Sequence, residues 1–297
     1  MPDAREFDRL FSKRVPHIHE MIFFSMDYAS FKNCLEVSMQ WREMLTSESF
    51  KRKGKYAFQE EIHMELMEAA DIGNITKIKM ILSNFMIDIN LTTASHWVSR
   101  CDDSVLIRAA ENGHKDAVQL LLDNGAEPNT ASKDGLTALH EAAFMGFEDV
   151  VKILLEGGAE ANAATAKYGW TPLLYASTTG SKNVVQLLLD KGAVPNMANY
   201  AGYTPLYFAM EYINPSRTDV VRFLLDRGAD PNMTYPDGWT PLHMAASDGY
   251  IDEAQLLLDK GAQINMEDPN EMTPFYYATV NGHMDLADML KKNGGTY

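Results

Sequence analysis

The stretch DGWTPLH, at residues 237–243, carries the pattern that decides the fold of this chain. Four variants occur elsewhere: DGLTALH at 134–140, GWTPLL at 169–174, GYTPLY at 202–207 and MTPFYY at 272–277. The threonines of the five copies are separated by 34, 33, 36 and 33 residues. Because a fixed period of about 20 to 50 residues is typical of repeat architectures, we expect one structural unit to recur along most of the chain.

The residues of this pattern are suited to starting a helix. Threonine caps free backbone N–H groups, and proline fits the first helical turn, where its missing N–H leaves no hydrogen bond unmade. In the copy that contains Thr240 and Pro241, the small pair Ala245-Ala246 lets helices approach closely and Gly249 then turns the chain. The pattern therefore predicts a short first helix in each copy.

A second helix is predicted after each turn glycine. Its apolar residues recur at helical spacing, as at Val150, Val151, Leu154 and Leu155, so one face should be buried against neighbouring helices. A Gly-Ala pair ends each second helix, and an asparagine begins the loop to the next copy. We expect these asparagines to be structural turn residues: Asn129, Asn162, Asn196, Asn232 and Asn265.

The phrase and its period resemble the ankyrin-repeat family. The resemblance implies an all-α solenoid of about seven helix-turn-helix repeats, because two earlier stretches lack the opening phrase but keep the helix pair. The first of these is the more degenerate, as terminal repeats often are. We place the domain at 66–297 and its repeats at about 66–90, 104–129, 134–162, 168–196, 201–232, 237–265 and 270–297.

Composition favours a chain that stays inside the cell. Hydrophobic residues make up 46% of the sequence, enough to build a core. The two cysteines, Cys34 and Cys101, lie far apart, whereas secreted proteins of this size usually carry more disulfides. We find neither a secretory leader nor a stretch approaching the roughly 18 apolar residues of a membrane span. We therefore expect a soluble, cytoplasmic protein with no membrane partner.

The net charge of −15 is concentrated in the repeats. Residues 1–60 are nearly neutral, with 10 Lys and Arg against 9 Asp and Glu. An acidic surface repels phosphate backbones, so nucleic acid is not an expected partner of the repeats. The cluster Lys51, Arg52, Lys53 and Lys55 is either a nuclear import signal, which makes a nuclear location possible, or a solvated helix end.

Residues 10–64 do not follow the period and are predicted to form a separate helical unit. Their apolar spacing resembles the F-box family, whose pattern opens with Leu-Pro and closes with Val, two or three residues and Trp. Val15, Met26 and Ser30 depart from the family's Leu, Leu and Asp, but these changes preserve apolarity or capping. The resemblance implies a three-helix unit that binds a ubiquitin-ligase adaptor through Val15, Pro16, Ile22, Met26, Phe31, Val37 and Trp41.

An F-box ahead of ankyrin repeats implies the substrate receptor of a cullin-RING ubiquitin ligase. Its expected partners are the adaptor and cullin complex at one end and a client protein at the other. Such a receptor acts by proximity, since holding the client near a conjugating enzyme raises the effective concentration. The alternative is a plain ankyrin scaffold or inhibitor, in which the front helices only cover the first repeat's apolar face.

The sequence predicts no catalytic residue, no metal site and no cofactor. His140 and His243 stand in the repeat phrase, and His114 and His283 follow turn glycines, so framework hydrogen bonds are the expected role of all four. No four Cys and His residues have the short spacing of a zinc site. Phosphate loops, nucleophile elbows and kinase signatures are also missing from the sequence. We therefore expect a protein that is not an enzyme.

A stripe of large side chains marks the predicted client surface. The position before each repeat threonine and the nearby loop tips hold Leu136, Tyr168, Trp170, Tyr200, Tyr203, Tyr235, Trp239 and Met272. Exposed aromatic residues are typical of binding hot spots, although such rings also pack loop against loop. Phe144, Met145, Tyr207 and Phe208 are weaker candidates, because first-helix residues more often point into the stack. The acidic surplus favours a client segment that is basic and partly hydrophobic.

Overall fold

The computed structural model of this chain describes residues 62–84, 87–91, 103–212 and 216–297. Its contacts divide the chain into two units, Met1–Met64 and Glu65–Tyr297. The repeats of the second unit are helical, and no strand occurs in the ranges just given. None of the helices in those ranges is long and apolar enough to cross a bilayer. The all-helical repeat fold predicted from the sequence is confirmed.

The helices come in pairs, each with a first helix, a tight turn and a second helix. The first pair is α1 (residues 62–71) and α2 (Ile75–Asn84). The next pairs are α3 (Val105–Glu111) with α4 (Lys115–Asp123), α5 (Ala138–Met145) with α6 (Glu148–Glu156), and α7 (Pro172–Thr179) with α8 (Lys182–Asp190). The last three pairs are α9 (Pro205–Glu211) with α10 (Arg217–Asp226), α11 (Pro241–Asp248) with α12 (Ile251–Asp259), and α13 (Pro274–Val280) with α14 (Met284–Lys292).

The first helices begin and end where the repeat phrase predicts. In α7 the Thr171 hydroxyl accepts a hydrogen bond from the backbone N–H of Leu174 at 3.3 Å, and Pro172 fills the first helical position. Gly180 ends the helix in the left-handed conformation, at φ +70°, and its N–H donates to the carbonyl of Ala176. Glycine adopts this conformation without steric cost, so the turn to α8 follows at once.

Helices stack on their equivalents in the neighbouring repeats. Contacts join α3, α5, α7, α9, α11 and α13 in sequence, and α2, α4, α6, α8, α10 and α12 form a second row. The alanines of the small pairs are completely buried at Ala109, Ala110, Ala142 and Ala143. Because they carry only a methyl group, the first helices pack closely. The core therefore runs along the whole stack between the two rows.

An asparagine ladder links each repeat to the next. The Nδ2 of Asn162 donates to the carbonyl of Gly192 at 3.0 Å, and its Oδ1 accepts from the backbone N–H of Val194 at 2.8 Å. The same pair of bonds recurs at six asparagines: Asn90, Asn129, Asn162, Asn196, Asn232 and Asn265. The structural role predicted for five of them is confirmed, and Asn90 extends the ladder to the degenerate first repeat.

The histidines of the phrase serve the framework, as the sequence predicts. The backbone N–H of Thr240 donates to Nδ1 of His243 at 3.1 Å, and Nε2 of the same ring lies 3.1 Å from the carbonyl of Met272 in the next repeat. An accepting Nδ1 places the proton on Nε2, which then donates to that carbonyl. Burial is the main cause that lowers the pKa of His140, to about 4, and lowers that of His243 as well.

Candidate protein-binding surface

The structure spreads the eight predicted client residues over a range of exposure. The tyrosines at two loop tips are the most open, with Tyr168 57% and Tyr200 70% exposed. Five others are half-buried: Leu136, Trp170, Tyr203, Trp239 and Met272. Side chains that are partly open and partly held by neighbours offer apolar area to a partner while keeping a fixed orientation.

Tyr235 is the exception, because its side chain is only 3% exposed. Its ring packs edge-on against Tyr207 at 4.7 Å, while its backbone N–H donates to the carbonyl of Trp239 at 2.8 Å. The hydroxyl is buried without a hydrogen-bond partner, and burial raises the pKa of this phenol well above its usual value. The expectation that Tyr235 lies on the surface is therefore wrong, since the loop turns this ring inward.

The first ring cluster is centred on Trp170. The indole lies 4.9 Å from the ring of Tyr175 in its own repeat and 4.5 Å from Phe208 in the next one. Tyr203 packs on Tyr207 at 4.3 Å, and Tyr207 contacts Phe208 at 5.2 Å. Aromatic pairs at these distances stabilise each other beyond the area they bury. The cluster is thus held in place before any partner arrives.

A second ring cluster is centred on Trp239, two repeats further along. Its indole lies 4.6 Å from the ring of Tyr277, whose hydroxyl donates to Asp268 at 2.6 Å. Burial alone would raise the pKa of Asp268, but bonds from Tyr277 and from the backbone N–H groups of Met272 and Asn270 lower it to about 2. This charged carboxylate ties the cluster to the last loop tip.

Seven residues together make up what we call the ring surface, in which Phe208 is buried and the other six are partly exposed: Trp170, Tyr175, Tyr203, Tyr207, Phe208, Trp239 and Tyr277. Sequence reasoning missed Tyr175 and Tyr277. Both lie four residues after the repeat threonine, as does Phe208, which places them at one equivalent position of the first helix. That recurring offset could have identified them. Tyr207 and Phe208, treated as weaker candidates from sequence, lie in the first cluster.

The loop tips next to the ring surface form a smaller aromatic patch. The backbone N–H of Tyr200 donates to the carbonyl of Tyr168 at 3.0 Å, so the two tips are joined. The ammonium group of Lys167 lies 4.8 Å from the centre of the Tyr168 ring. Phe144 and Met145, at 45% and 49% exposure, continue the apolar area towards the end of α5. The ring of Phe144 lies 5.7 Å from that of Tyr175, so it borders the first ring cluster.

Carboxylates surround the tyrosines of the ring surface. Burial and then the charge of Glu211 raise the pKa of Tyr207. Burial and then the charge of Glu141 raise that of Tyr175. Helices α9, α11 and α13, with the loops that precede them, lie within residues 201–212, 234–248 and 267–281. These three stretches contain no Lys or Arg. This part of the surface is therefore apolar and negatively charged.

The second helices carry a different kind of surface. Lys182 pairs with Asp219 of the next repeat at 3.1 Å, and Lys260 pairs with Asp226 of the preceding repeat at 2.8 Å. All four side chains are largely exposed, so each pair contributes little to stability. These ion pairs join acids and bases of neighbouring repeats, whereas the ring surface combines aromatic rings with carboxylates.

Two other expectations concern sites elsewhere. The residues predicted to bind a ligase adaptor lie outside the described part of the chain: Val15, Pro16, Ile22, Met26, Phe31, Val37 and Trp41. Within the described part, no three His, Cys, Asp or Glu side chains are grouped so that they could hold a metal ion.

Comparison with known proteins finds relatives that match a short stretch of this chain. Rat Cortactin-binding protein 2 is 41% identical over 76 residues, which is 25% of this chain but 4% of that protein. Human Ankyrin repeat and MYND domain-containing protein 1 is 37% identical over 81 residues, 27% of this chain and 8% of that protein. The chain matches only a small part of each relative's length.

Solved structures agree with the fold over a longer stretch. An ankyrin repeat domain from Acinetobacter baumannii is 28% identical, with a TM-score of 0.61, over 67% of this chain and 98% of its own. The human ASB11 ankyrin repeat domain is also 28% identical, with a TM-score of 0.60, over 75% and 96%. The Bcl-3 ankyrin repeat domain, at 24% identity and a TM-score of 0.65 over 75% and 97%, shares the fold.

The family model for ankyrin repeats matches three overlapping stretches, residues 66–165, 157–235 and 218–296. Together they cover well over half of the chain and all seven helix pairs. The phrase, the asparagine ladder and the stacked helix pairs are thus accounted for by one architecture, whose members bind protein partners. The chain belongs to the ankyrin-repeat family.

Proposed function

We propose that this chain holds a client protein through the ring surface and takes no chemical part in what happens to the client. The observation that carries the proposal is the pair of ordered ring clusters around Trp170 and Trp239, both partly exposed. Large rings that are already fixed bury area on binding at little entropic cost, which is why aromatic residues dominate hot spots.

The charge around the rings supports a client segment with basic and hydrophobic residues. Glu211 and Asp237 are exposed and lie near enough to Tyr207 to raise its pKa, after the larger effect of burial. No Lys or Arg occurs in residues 201–212 or 234–248 to neutralise them. A lysine or arginine of the client would supply the missing charge, and steer the encounter at low salt.

The N-terminal residues support a more specific proposal for the role of the protein. Residues 10–64 carry the F-box-like spacing, including Val15-Pro16 and the interval from Val37 to Trp41. On that spacing we propose that the protein is the substrate receptor of an F-box type cullin-RING ubiquitin ligase. The repeats would hold the client while other subunits supply the reacting groups.

Client binding is tested by affinity capture with the full chain as bait and quantitative mass spectrometry. We expect Trp170→Ala and Trp239→Ala each to lower capture of the client by about 30-fold, as for a central hot spot. Met284→Ala is the matched control, because Met284 is 57% exposed at the start of α14 and away from the rings. Equal capture by all three variants would exclude the ring surface as the binding site.

The ligase role is tested by binding of the full chain to a purified adaptor and cullin complex. We expect binding that Trp41→Ala abolishes while thermal unfolding of the repeats stays unchanged. Absence of binding by the unaltered chain would reject the receptor role and leave the ankyrin scaffold or inhibitor, whose front residues only cap the stack. Client capture by the ring surface is independent of either result.

A further inference from the structure

Two equivalent tryptophan sites recur along the ring surface. Trp170 and Trp239 both precede a repeat threonine, and each indole packs on the ring four residues after the threonine of the next repeat. Those rings are Phe208 for the first site and Tyr277 for the second. The first helices α7, α9 and α11 pack in sequence, so the two sites are two repeat steps apart.

Two carboxylates act on the repeat between the two sites: Glu211 belongs to that repeat, and Asp237 lies in the next loop, two residues before Trp239. Tyr207 links Phe208 of the first site to the buried Tyr235, and the charges of Glu211 and Asp237 act on both tyrosines. Asp237 also acts on His243, which lies beside Trp239 with its ring 6.2 Å away. One oxygen of Asp237 accepts the backbone N–H of Trp239 at 3.0 Å. Along the surface, the apolar Trp170 site is therefore followed by an acidic region and then by the apolar Trp239 site.

This order sets the spacing of residues in a bound segment. Packed helices lie about 8–10 Å apart, so the tryptophan sites are separated by roughly 16–20 Å, and Tyr207, on which both carboxylates act, belongs to the repeat between them. A polyproline II segment rises about 3.1 Å per residue and has three residues per turn. Six residues of it span about 19 Å, and residues i, i+3 and i+6 lie on one face.

Other backbone conformations fit the order less well. In a β-strand, residues i and i+6 share a face but residue i+3 points to the opposite side, away from the carboxylates. In an α-helix the same distance takes about 11 or 12 residues, and the residues that share a face with residue i, near i+4 and i+7, lie to either side of the midpoint. A period of three places two apolar groups and a cation midway between them on the same side.

We propose that the ring surface binds a segment in the polyproline II conformation, with an apolar residue at position i on the Trp170 site, Lys or Arg at i+3 beside Glu211 and Asp237, and an apolar residue at i+6 on the Trp239 site. The inference rests on the proposed function, because it assigns the conformation and register of the client segment. Proline-rich segments suit aromatic surfaces because their conformation is fixed before binding.

The test uses a fluorescent, end-blocked peptide, PLPPRPPLP, with arginine at the centre and leucine three residues away on each side. Its binding to the full chain is measured by fluorescence anisotropy. The register control, PLPRPPPLP, has the same composition with arginine moved by one residue. The conformational control, ALAARAALA, keeps the spacing but loses the prolines. We expect both controls to bind about tenfold more weakly than the centred peptide.

Variants of the chain assign the contacts. The combined change Glu211→Gln and Asp237→Asn keeps the side-chain shapes and the acceptor for the backbone N–H of Trp239, yet removes both charges. We expect it to remove most of the preference for the centred arginine. Trp170→Ala and Trp239→Ala should each weaken the centred peptide about tenfold. Met284→Ala should bind it as the unaltered chain does.

The outcomes separate this inference from the function on which it rests. Equal binding of the centred and shifted peptides, undiminished binding of the alanine peptide, or no binding of any peptide would each overturn the register proposed here. If the client is nevertheless captured in a way that depends on Trp170 and Trp239, the proposed function stands. If capture is also independent of these tryptophans, both fail.

Discussion

The asparagine ladder and the ring surface repeat with the same period but differ in content. Every rung of the ladder has the same residue and the same two hydrogen bonds, from Asn90 to Asn265. The ring surface instead changes from repeat to repeat, with leucine, tryptophan, tyrosine, tryptophan and methionine before successive threonines. Positions that serve the stack thus keep one chemistry, whereas positions open to a partner vary.

The two regions also differ in what fixes their side chains. A rung is fixed by backbone groups, the carbonyl of Gly192 and the N–H of Val194 for Asn162, so any repeat with the same backbone can make it. A ring is fixed by other rings, as Trp170 is by Tyr175 and Phe208. Substitutions in the framework should therefore change stability, and substitutions on the ring surface mainly binding.

The largest effect should come from crowding the framework at a loop tip. A Cβ at Gly135 would collide with the backbone nitrogen of Ala166, whose N–H donates to Asp134 at 2.9 Å, and the residue has φ +80°. We expect Gly135→Ala to lower the free energy of unfolding by about 3–4 kcal/mol, measured by urea denaturation. Gly125→Ala is the control, since it has φ +90° and open space, and should lose only about 1–2 kcal/mol. Equal losses would show that crowding has no part.

The second-largest effect should be a loss of stability at acidic pH. The pKa of His140 is about 4 in the folded chain, below its unfolded value near 6.5, because the ring is buried. A lowered histidine pKa contributes stability that is complete above pH 6.5 and is lost as the pH falls towards 4. We expect about 3 kcal/mol to disappear over that range, measured as unfolding free energy against pH.

The equivalent position of a neighbouring repeat shows which substitution can replace His140. Repeat four has the buried Leu174 where His140 stands in repeat three. We expect His140→Leu to lower stability at pH 7 but to flatten the loss between pH 6.5 and 4. An unchanged slope would mean that His140 is not the group that takes up the proton.

Removing one rung of the asparagine ladder should lower the free energy of unfolding less than crowding at Gly135 or protonation of His140. Asn162→Ala removes one hydrogen bond to the carbonyl of Gly192 and one from the N–H of Val194, both near the surface. We expect a loss of about 1 kcal/mol in the free energy of unfolding. Asn124→Ala is the control, because its side chain donates only within its own helix, to Leu120 at 2.8 Å. A loss at Asn124 as large as at Asn162 would contradict a role in linking repeats.

The smallest effect has the opposite sign. The hydroxyl of Tyr235 is buried without a partner, so Tyr235→Phe removes an unsatisfied polar group and should raise the unfolding free energy by up to about 1 kcal/mol. Tyr207→Phe is the comparison, because the Tyr207 hydroxyl bonds to Glu211 and its loss should not stabilise. Thermal unfolding of both variants measures the difference. A Tyr235→Phe chain that melts earlier than the unaltered chain would show that the hydroxyl has a partner.

Much of the fold could be predicted because it depends on local chemistry. Thr171 caps its helix, Gly180 turns the chain, and His243 bonds to the next repeat, all within contacts that the repeat phrase specifies. The candidate site was predicted less fully. Tyr203 directly precedes its threonine and is half-buried, whereas Tyr235 stands five residues before Thr240, at the buried position that Asn199 and Asp268 occupy in neighbouring repeats.

Contacts between repeats were the harder part to predict. Trp170 meets Phe208 across 38 residues, and that pairing depends on the packing of α7 on α9, which the period does not specify. Tyr175 and Tyr277 were within reach of sequence reasoning, because both share the offset of Phe208 from its threonine. The front residues, Val15 to Trp41, lie outside the described part and stay a prediction.

The asparagine ladder couples the repeats that form the two tryptophan sites. Because each rung joins adjacent repeats, the stack behaves as a one-dimensional lattice with nearest-neighbour coupling, in which single repeats open locally. The Trp170 site lies between repeats four and five, whereas the Trp239 site depends on Tyr277 in the last repeat. Opening of one repeat would therefore undo one tryptophan site and leave the other intact, so a client held at both sites would be released one site at a time.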